Sequence, residues 1–108
     1  MIEGLVAGHI WGEPEKRMGK NSSVFVVAKL RAKGAQAELL IVNVIAFDPG
    51  VSRALLALHD GDAVSLSGSL DPKVWVDKQG VSRPALDMIA SRVLALRDAT
   101  SETPGAGA

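Results

Sequence analysis

Residues 73–83, with the sequence KVWVDKQGVSR, place an aromatic ring among positive charges. Trp75 alternates with Val74 and Val76, so if both valines face a hydrophobic core, the indole faces the opposite way, towards water. The cations around the ring are Lys73, Lys78 and Arg83. An exposed indole can stack on a nucleobase while neighbouring cations meet the phosphates, which is the chemistry that binds a single-stranded nucleic acid. The alternative is a Trp75 side chain packed against a neighbouring strand or subunit.

Side chains that could stack on a base are few, since the chain has two Trp, two Phe and no Tyr. Besides Trp75, the candidates are Trp11 and Phe25. Trp11 ends an extended segment, where it suits either a groove or a subunit contact. Phe25 shares one face of its alternating segment with cations, which favours the groove. Phe47 closes an apolar run, and we expect it to lie in the core.

Positive charge concentrates in residues 16–33, which contain no acidic side chain although the whole chain has a net charge of zero. A neutral chain can still draw a polyanion to one basic face. We assign phosphate contacts to Lys29 and Arg31 on a strand, together with the three cations of residues 73–83. A mobile loop that closes over the bound strand is expected to carry Lys16, Arg17 and Lys20. A solvated strand edge with no ligand is the alternative.

The composition argues against several other classes of protein. The chain has no cysteine, so it has no disulfide framework and no thiolate metal site. No apolar run approaches the roughly 20 residues of a membrane-spanning helix. His59 precedes Asp60 and Asp62, but a tight turn explains these residues without a metal ion. We therefore expect a non-enzymatic, cytoplasmic protein with no cofactor, no metal and no membrane contact.

Alternating apolar residues predict a chain made mainly of strands. The predicted strands cover residues 2–11, 24–33, 39–47, 64–76 and 83–96. The third is almost continuously apolar and is expected to be covered on both faces, while Pro72 is expected to interrupt the fourth strand or form a bulge in it. Apolar residues at helical spacing predict a short helix over residues 51–58, capped by Ser52.

This order of elements indicates an all-β fold. Long bent strands with one short helix between strands 3 and 4 are typical of a five-stranded Greek-key OB-fold barrel. The length suits a single domain, which we place at residues 1–98. Residues 99–108 are small, polar and rich in Pro and Gly, so they predict a short disordered tail.

Four motifs, in this order and spacing, resemble bacterial single-stranded DNA-binding proteins. Residues 8–17 are similar to the first strand and following loop of that family, and residues 42–47 (VNVIAF) to its central strand. Residues 58–70 resemble its turn into the fourth strand. Residues 73–80 resemble its hairpin, including the tryptophan that stacks on a base, at Trp75 here. The resemblance covers about residues 2–97 and implies single-stranded DNA as ligand, with homodimers or homotetramers formed partly through the first strand.

Two departures from that family stand out. Leu40, Ile41 and Val42 are aliphatic where the family usually carries further aromatic rings, and the sequence ends in TSETPGAGA instead of a long acidic tail. The chain is therefore similar to a small tail-less member, and also to primosomal replication protein N. We expect largely sequence-independent binding of single-stranded DNA in replication, recombination or repair, with replication proteins as possible partners. The alternatives are a replication-restart accessory and an OB-fold scaffold for protein interaction without DNA binding.

Overall fold

The computed structural model describes residues 1–95, which form six strands, one α-helix and a short 3-10 turn. The elements in chain order are β1 (Ile2–Ile10), β2 (Glu15–Met18), the 3-10 turn (Lys20–Ser22), β3 (Val24–Lys33), β4 (Leu39–Ala46), α1 (Pro49–Leu56), β5 (Ala63–Val76) and β6 (Ser82–Ala95). The predicted domain boundary at residue 98 and the predicted tail of residues 99–108 lie outside the described residues.

Five of the strands close into a ring. The sheet order is β1-β5-β6-β4-β3-β2, and an additional pairing of β1 with β3 closes the barrel. All neighbours are antiparallel except β4 and β6, which run parallel. The helix α1 connects the third and fourth strands of this ring, β4 and β5. The all-β OB-fold barrel expected from the sequence is therefore confirmed, with β2 as an extra strand on the edge of β3.

The barrel interior is filled by aliphatic side chains, because each ring strand turns alternate residues inward. Along β3 the buried positions are Val26, Ala28, Leu30 and Ala32, as the alternation predicts. The largest fully buried side chains of the described chain are Ile10, Leu30, Leu55, Leu66, Met88, Val26, Val42 and Val64. Burying one such side chain contributes roughly 1.5–3 kcal/mol. The outward positions of these strands are thereby left free to form a ligand surface.

Two glycines let backbones approach closely inside the barrel wall. A Cβ on Gly8 would collide with the carbonyl oxygen of Arg31, and one on Gly68 would collide with the carbonyl oxygen of Ile89. Gly68 also lies at the register shift between β5 and β6, next to Ser67. The register shift therefore lies between Ser67 and Gly68, where β6 carries the extra residue Ser91. The predicted interruption at Pro72 is wrong, since β5 runs through it opposite Leu86.

The helix α1 starts two residues earlier than predicted. Its N-cap is Asp48, whose carboxylate accepts a hydrogen bond from the Val51 backbone N–H at 3.0 Å, and Pro49 follows at the first helical position. Ser52, the predicted cap, lies inside the helix and donates from its hydroxyl to the Ala46 carbonyl instead. Val51 and Leu55 are buried and join the core.

Three burial predictions on the outside of the barrel are wrong. Val74 is 72% exposed and Val76 is 64% exposed. Within the described part of the chain, residues 74–84 pair only with each other and extend past the barrel as a two-stranded arm, which we call the hairpin arm. Phe47 is 55% exposed. The strand that precedes it, β4, is buried on one face only, with Val42, Val44 and Ala46 inward and Asn43 outward.

The segment predicted as a mobile loop contains the strand β2. Glu15–Met18 pairs with the first half of β3, opposite Val27, Val26, Phe25 and Val24. Since β1 occupies the same edge of β3 only at its far end, β2 fills the edge that β1 leaves open. No helix among residues 1–95 is long and apolar enough to cross a bilayer.

Candidate functional site

A polar row crosses the outer face of the sheet. Lys29 on β3 lies opposite Asn43 on β4, which lies opposite Asp87 on β6, which lies opposite Asp71 on β5. Directly opposite residues on one face of a sheet are side-chain neighbours. In the next row towards the hairpin arm, Arg31 is opposite Ile41, and Ile41 and Lys73 are both opposite Ala85. The sheet therefore carries charged and amide groups across its outer surface, above an entirely apolar core.

Trp11 stands over this surface, held at the end of β1. Its backbone N–H donates to the Lys29 carbonyl at 2.9 Å, and the next amide, at Gly12, donates to Asp60 Oδ1 at 2.7 Å. The Lys29 ammonium lies 5.6 Å from the indole centroid, and the Arg31 guanidinium 5.2 Å from it. Both are within the range of cation–π attraction, which contributes about 0.5–1 kcal/mol at an exposed site. The indole is thus fixed beside two positive charges and is still 45% exposed.

The outer surface is concave and forms a groove with two compartments. The first, of about 850 Å³, lies under Trp11 and reaches the β2 side chains Glu15 and Arg17. The second, of about 500 Å³, lies between Trp11 and Trp75. Residues that line both compartments are Trp11, Lys29, Asn43 and Asp87. The second is completed by Leu39, Ile41, Lys73, Trp75 and Ala85. Both tryptophans of the chain therefore face one groove.

The base of the hairpin arm positions Trp75, and Asp77 shapes its turn. The Asp77 carboxylate accepts hydrogen bonds from the Gln79 and Val81 backbone N–H groups, both at 2.9 Å, and from Arg83 Nε at 3.1 Å. These donors stabilise the ionised carboxylate and so lower the pKa of Asp77 below its ordinary value. The hydrogen bond from the Val81 amide contributes most, and those from Arg83 and Gln79 add to it. The ionised Asp77 carboxylate therefore stabilises the turn fully above the ordinary pKa of an aspartate. This stabilisation is lost as the pH falls through the lowered pKa of Asp77.

Negative charge in the groove is partly balanced by neighbouring cations. Asp71 lies 3.2 Å from the Lys73 ammonium, and Glu15 lies 3.2 Å from the Arg17 guanidinium. The hydrogen bond and charge of Asp71, with a smaller contribution from Asp87, raise the pKa of Lys73. Lys73 therefore stays positive at neutral pH. The second compartment carries Lys29 and Lys73 against the single carboxylate of Asp87, so it is the more positive half of the groove.

The structure brings six of the predicted site residues together. Trp11, Trp75, Lys29, Lys73 and Arg17 line the groove, and Arg31 lies against the Trp11 ring. The other five do not line the groove. Phe25 is half-buried against Phe47, with ring centroids 6.1 Å apart. Lys16 alternates with Arg17 on β2 and so points to its opposite face. Lys20 is in the 3-10 turn and Lys78 is in the turn of the hairpin arm. Arg83 lies directly opposite Trp75, but its guanidinium is bonded to Asp77.

Sequence reasoning missed the polar floor of the groove. Asn43 was visible as the one polar residue in an apolar run, but its partner Asp87 is 44 residues away and belongs to a different strand. The fold also uses Asp60 and Asp62 structurally, since they accept hydrogen bonds from the Gly12 and His59 backbone amides. Among residues 1–95, no group of three or more His, Asp or Glu side chains is placed to hold a metal ion.

Comparison with known proteins gives structural neighbours only. No protein-family model matches the sequence, and no curated protein matches it. The chain is similar in structure to a small single-stranded DNA-binding protein from Streptomyces coelicolor, with a TM-score of 0.68 and 22% identity over 87% of this chain and 93% of that one. It is also similar to a mitochondrial single-stranded DNA-binding protein from S. cerevisiae, with a TM-score of 0.65 and 12% identity over 88% and 94% of the two chains. At these identities the likeness establishes the OB-fold barrel.

Proposed function

We propose that the chain binds single-stranded DNA without catalysis and largely without regard to sequence, in the cytoplasm, during replication, recombination or repair. The observation that carries this proposal is the placement of both indoles, with Lys29 and Lys73, around one groove on the outer face of an OB-fold barrel. Both structural neighbours are described as single-stranded DNA-binding proteins, and the sequence motifs resemble the same class. These findings support the proposal independently of the groove.

The groove suits an unpaired strand for a physical reason. An indole stacks on the flat face of a base, and in a duplex those faces are covered by the neighbouring base pairs. Trp11 and Trp75 are each 45% exposed, so each offers a free ring surface. Stacking contributes about 1–3 kcal/mol per base and tolerates any base, since every base has such a face. Lys29, Arg31 and Lys73 lie beside the rings and provide the charge that the phosphates need.

The first test is a titration with a short oligo-dT, followed by tryptophan fluorescence and repeated at several salt concentrations. We expect quenching of the indole emission on binding. If three cations each meet a phosphate, the logarithm of the binding constant should fall with the logarithm of salt with a slope of about −2, from about 0.7 per phosphate on single strands. A duplex of the same length is the control and should bind much more weakly. Absence of quenching and of binding would leave a protein-interaction scaffold as the function.

We also propose that the chain forms homodimers or homotetramers through β1. This strand pairs with β5 over Ile2–His9 but with β3 only at His9 and Ile10, so most of its other edge is unpaired within residues 1–95. Leu5 on β1 is 68% exposed, and Leu94 on the same side of the barrel is 56% exposed. An open strand edge next to apolar side chains is a surface that a second copy can cover.

Light scattering after gel filtration tests this arrangement. We expect a mass at least twice the 11.3 kDa of one chain. Leu5→Glu should shift the protein towards monomer, because it introduces charge beside the proposed contact. Met18→Glu is the matched control, since Met18 is exposed to a similar degree but lies on β2, away from β1. A wild-type protein that elutes as a monomer at tens of micromolar would contradict the proposal.

A further inference from the structure

An amide and a carboxylate form the floor of the groove where its two compartments meet. Asn43 Nδ2 donates to Asp87 Oδ1 at 3.2 Å. Both residues line the compartment that Trp11 and Trp75 enclose. A sequence-tolerant groove needs only ring faces and cations, so neither of these two polar groups is required by stacking or by phosphate binding. Their position beneath the indoles is therefore a separate feature of the site.

The hydrogen bond between them fixes what they offer to a ligand. An ionised carboxylate can only accept hydrogen bonds, so the Asn43 amide nitrogen must face it, and the Asn43 carbonyl Oδ1 faces elsewhere. Within residues 1–95, neither side chain makes any other hydrogen bond. Asp87 Oδ2 and Asn43 Oδ1 can therefore each accept a hydrogen bond from a ligand. A base held between the tryptophans meets acceptors below it, and it must present donors to them.

The edges of the four bases differ in the donors that they present. The Watson–Crick edge of guanine has two neighbouring donors, N1–H and the 2-amino group, which one carboxylate can engage together. Cytosine and adenine each present one amino donor beside an acceptor. Thymine presents one N–H between two carbonyl oxygens, which a carboxylate repels. Base edges that are free of a partner strand are read by side chains in this way.

We propose that the Asn43–Asp87 pair makes the compartment between Trp11 and Trp75 a guanine-preferring subsite within an otherwise sequence-tolerant groove. This inference rests on the proposed function, because it assumes that a base enters the groove. Lys73 supports the proposed subsite. The positive charge of Lys73 acts on Asp87 and Asp71 and offsets the repulsion between these carboxylates and the phosphates. Lys29 lines the same compartment. A bidentate contact to a base edge discriminates against the wrong base, and we expect a preference of about tenfold.

Competition binding with four oligonucleotides tests the preference. Each is oligo-dT with one central replacement, namely guanine, cytosine, hypoxanthine or 7-deazaguanine. Guanine should bind about tenfold more tightly than unmodified oligo-dT. 7-Deazaguanine should keep this gain, because its N1–H and 2-amino group are intact, whereas hypoxanthine should lose most of it, because it lacks the 2-amino group. Equal affinity for all of these oligonucleotides would overturn the subsite and leave the proposed function standing, whereas absence of binding to any would overturn both.

Two variants separate recognition of the base from electrostatics. Asp87→Asn should abolish the guanine preference. Glu15→Gln is the matched control, because it also removes one negative charge from the groove but lies on β2, outside the compartment between Trp11 and Trp75. Both variants should tighten binding of plain oligo-dT to a similar degree, and only Asp87→Asn should lose the discrimination between guanine and hypoxanthine. Discrimination that persists in a folded Asp87→Asn protein, as judged by its circular dichroism, would overturn the assignment.

Discussion

Replacing both tryptophans by alanine, Trp11→Ala with Trp75→Ala, should weaken binding of oligo-dT by at least about thirtyfold. Each lost stacking surface costs about 1–3 kcal/mol, so the two together cost at least about 2 kcal/mol. Because both rings border the same compartment, the two losses need not add, and the single variants are measured beside the double one. Fluorescence anisotropy of a labelled oligonucleotide gives the affinities, since the double variant has no tryptophan emission of its own.

Phenylalanine replacements provide the control for this prediction. Trp11→Phe with Trp75→Phe keeps a ring at both positions and should restore much of the affinity. Both indoles are 45% exposed and outside the core, so the alanine variants should unfold close to the wild-type temperature. A double alanine variant that folds and binds oligo-dT as tightly as wild type would show that the strand does not lie in this groove.

Gly68→Ala should lower the thermal stability of the barrel more than any surface change. A Cβ at this position would collide with the backbone carbonyl of Ile89 on β6, and a backbone atom cannot rotate away as a side chain can. Forcing extra atoms into a packed interior costs about 1–3 kcal/mol, and a backbone collision belongs at the upper end. For a domain of this size, that corresponds to a fall of roughly 12–24 °C in the midpoint of unfolding, which circular dichroism measures directly.

Gly4→Ala is the matched control for Gly68→Ala. Both glycines are on strands of the β1–β5 ladder, where they lie directly opposite each other. A Cβ on Gly4 would lie 3.0 Å from the Leu70 Cδ1 atom, which is the mobile end of a side chain. The midpoint of unfolding of the Gly4→Ala variant should therefore stay within a few degrees of wild type. Equal stability of the two variants would show that the close approach of β5 and β6 does not limit the fold.

The interior of this barrel could be read from the sequence because burial repeats with a simple period. On β3, each even-numbered residue from Val26 to Ala32 is apolar and buried, and each outward neighbour is partly or fully exposed. That pattern depends only on the alternation of side chains along a strand. The strand order could be inferred for a related reason, since long strands with a single short helix leave few ways to close a barrel.

The outer surface could not be read in the same way, because exposure depends on what lies opposite in space. Val74 and Val76 alternate as core residues do, yet no other element of residues 1–95 covers the hairpin arm. Phe47 ends an apolar run but contacts Phe25 on the outside of the barrel. The pattern around these residues gives the side of the strand on which each lies, and it does not tell whether that side is covered.

The residues of the candidate site also differ in whether the sequence could predict them. Trp75 could be proposed from its local sequence, because cations flank it, and Trp11 from its residue type, because the chain has few aromatic side chains. The pairing of Asn43 with Asp87 could not, since it depends on the parallel register of β4 and β6. Lys16 and Arg17 are adjacent in the sequence, and only the pairing of β2 with β3 places Arg17 towards the groove.

The parallel pairing of β4 with β6 determines when the groove can form during synthesis of the chain. The groove is made by contacts between distant parts of the chain, such as Asn43 with Asp87, 44 residues apart, and Gly12 with Asp60, 48 residues apart. A nascent chain that has emerged only as far as β5 has no partner for the second edge of β4 and no Asp87. Contacts of such long range form late, once the entropy of closing the loop has been overcome. A partly synthesised or proteolytically shortened chain should therefore lack the complete groove, which only intact domains would present.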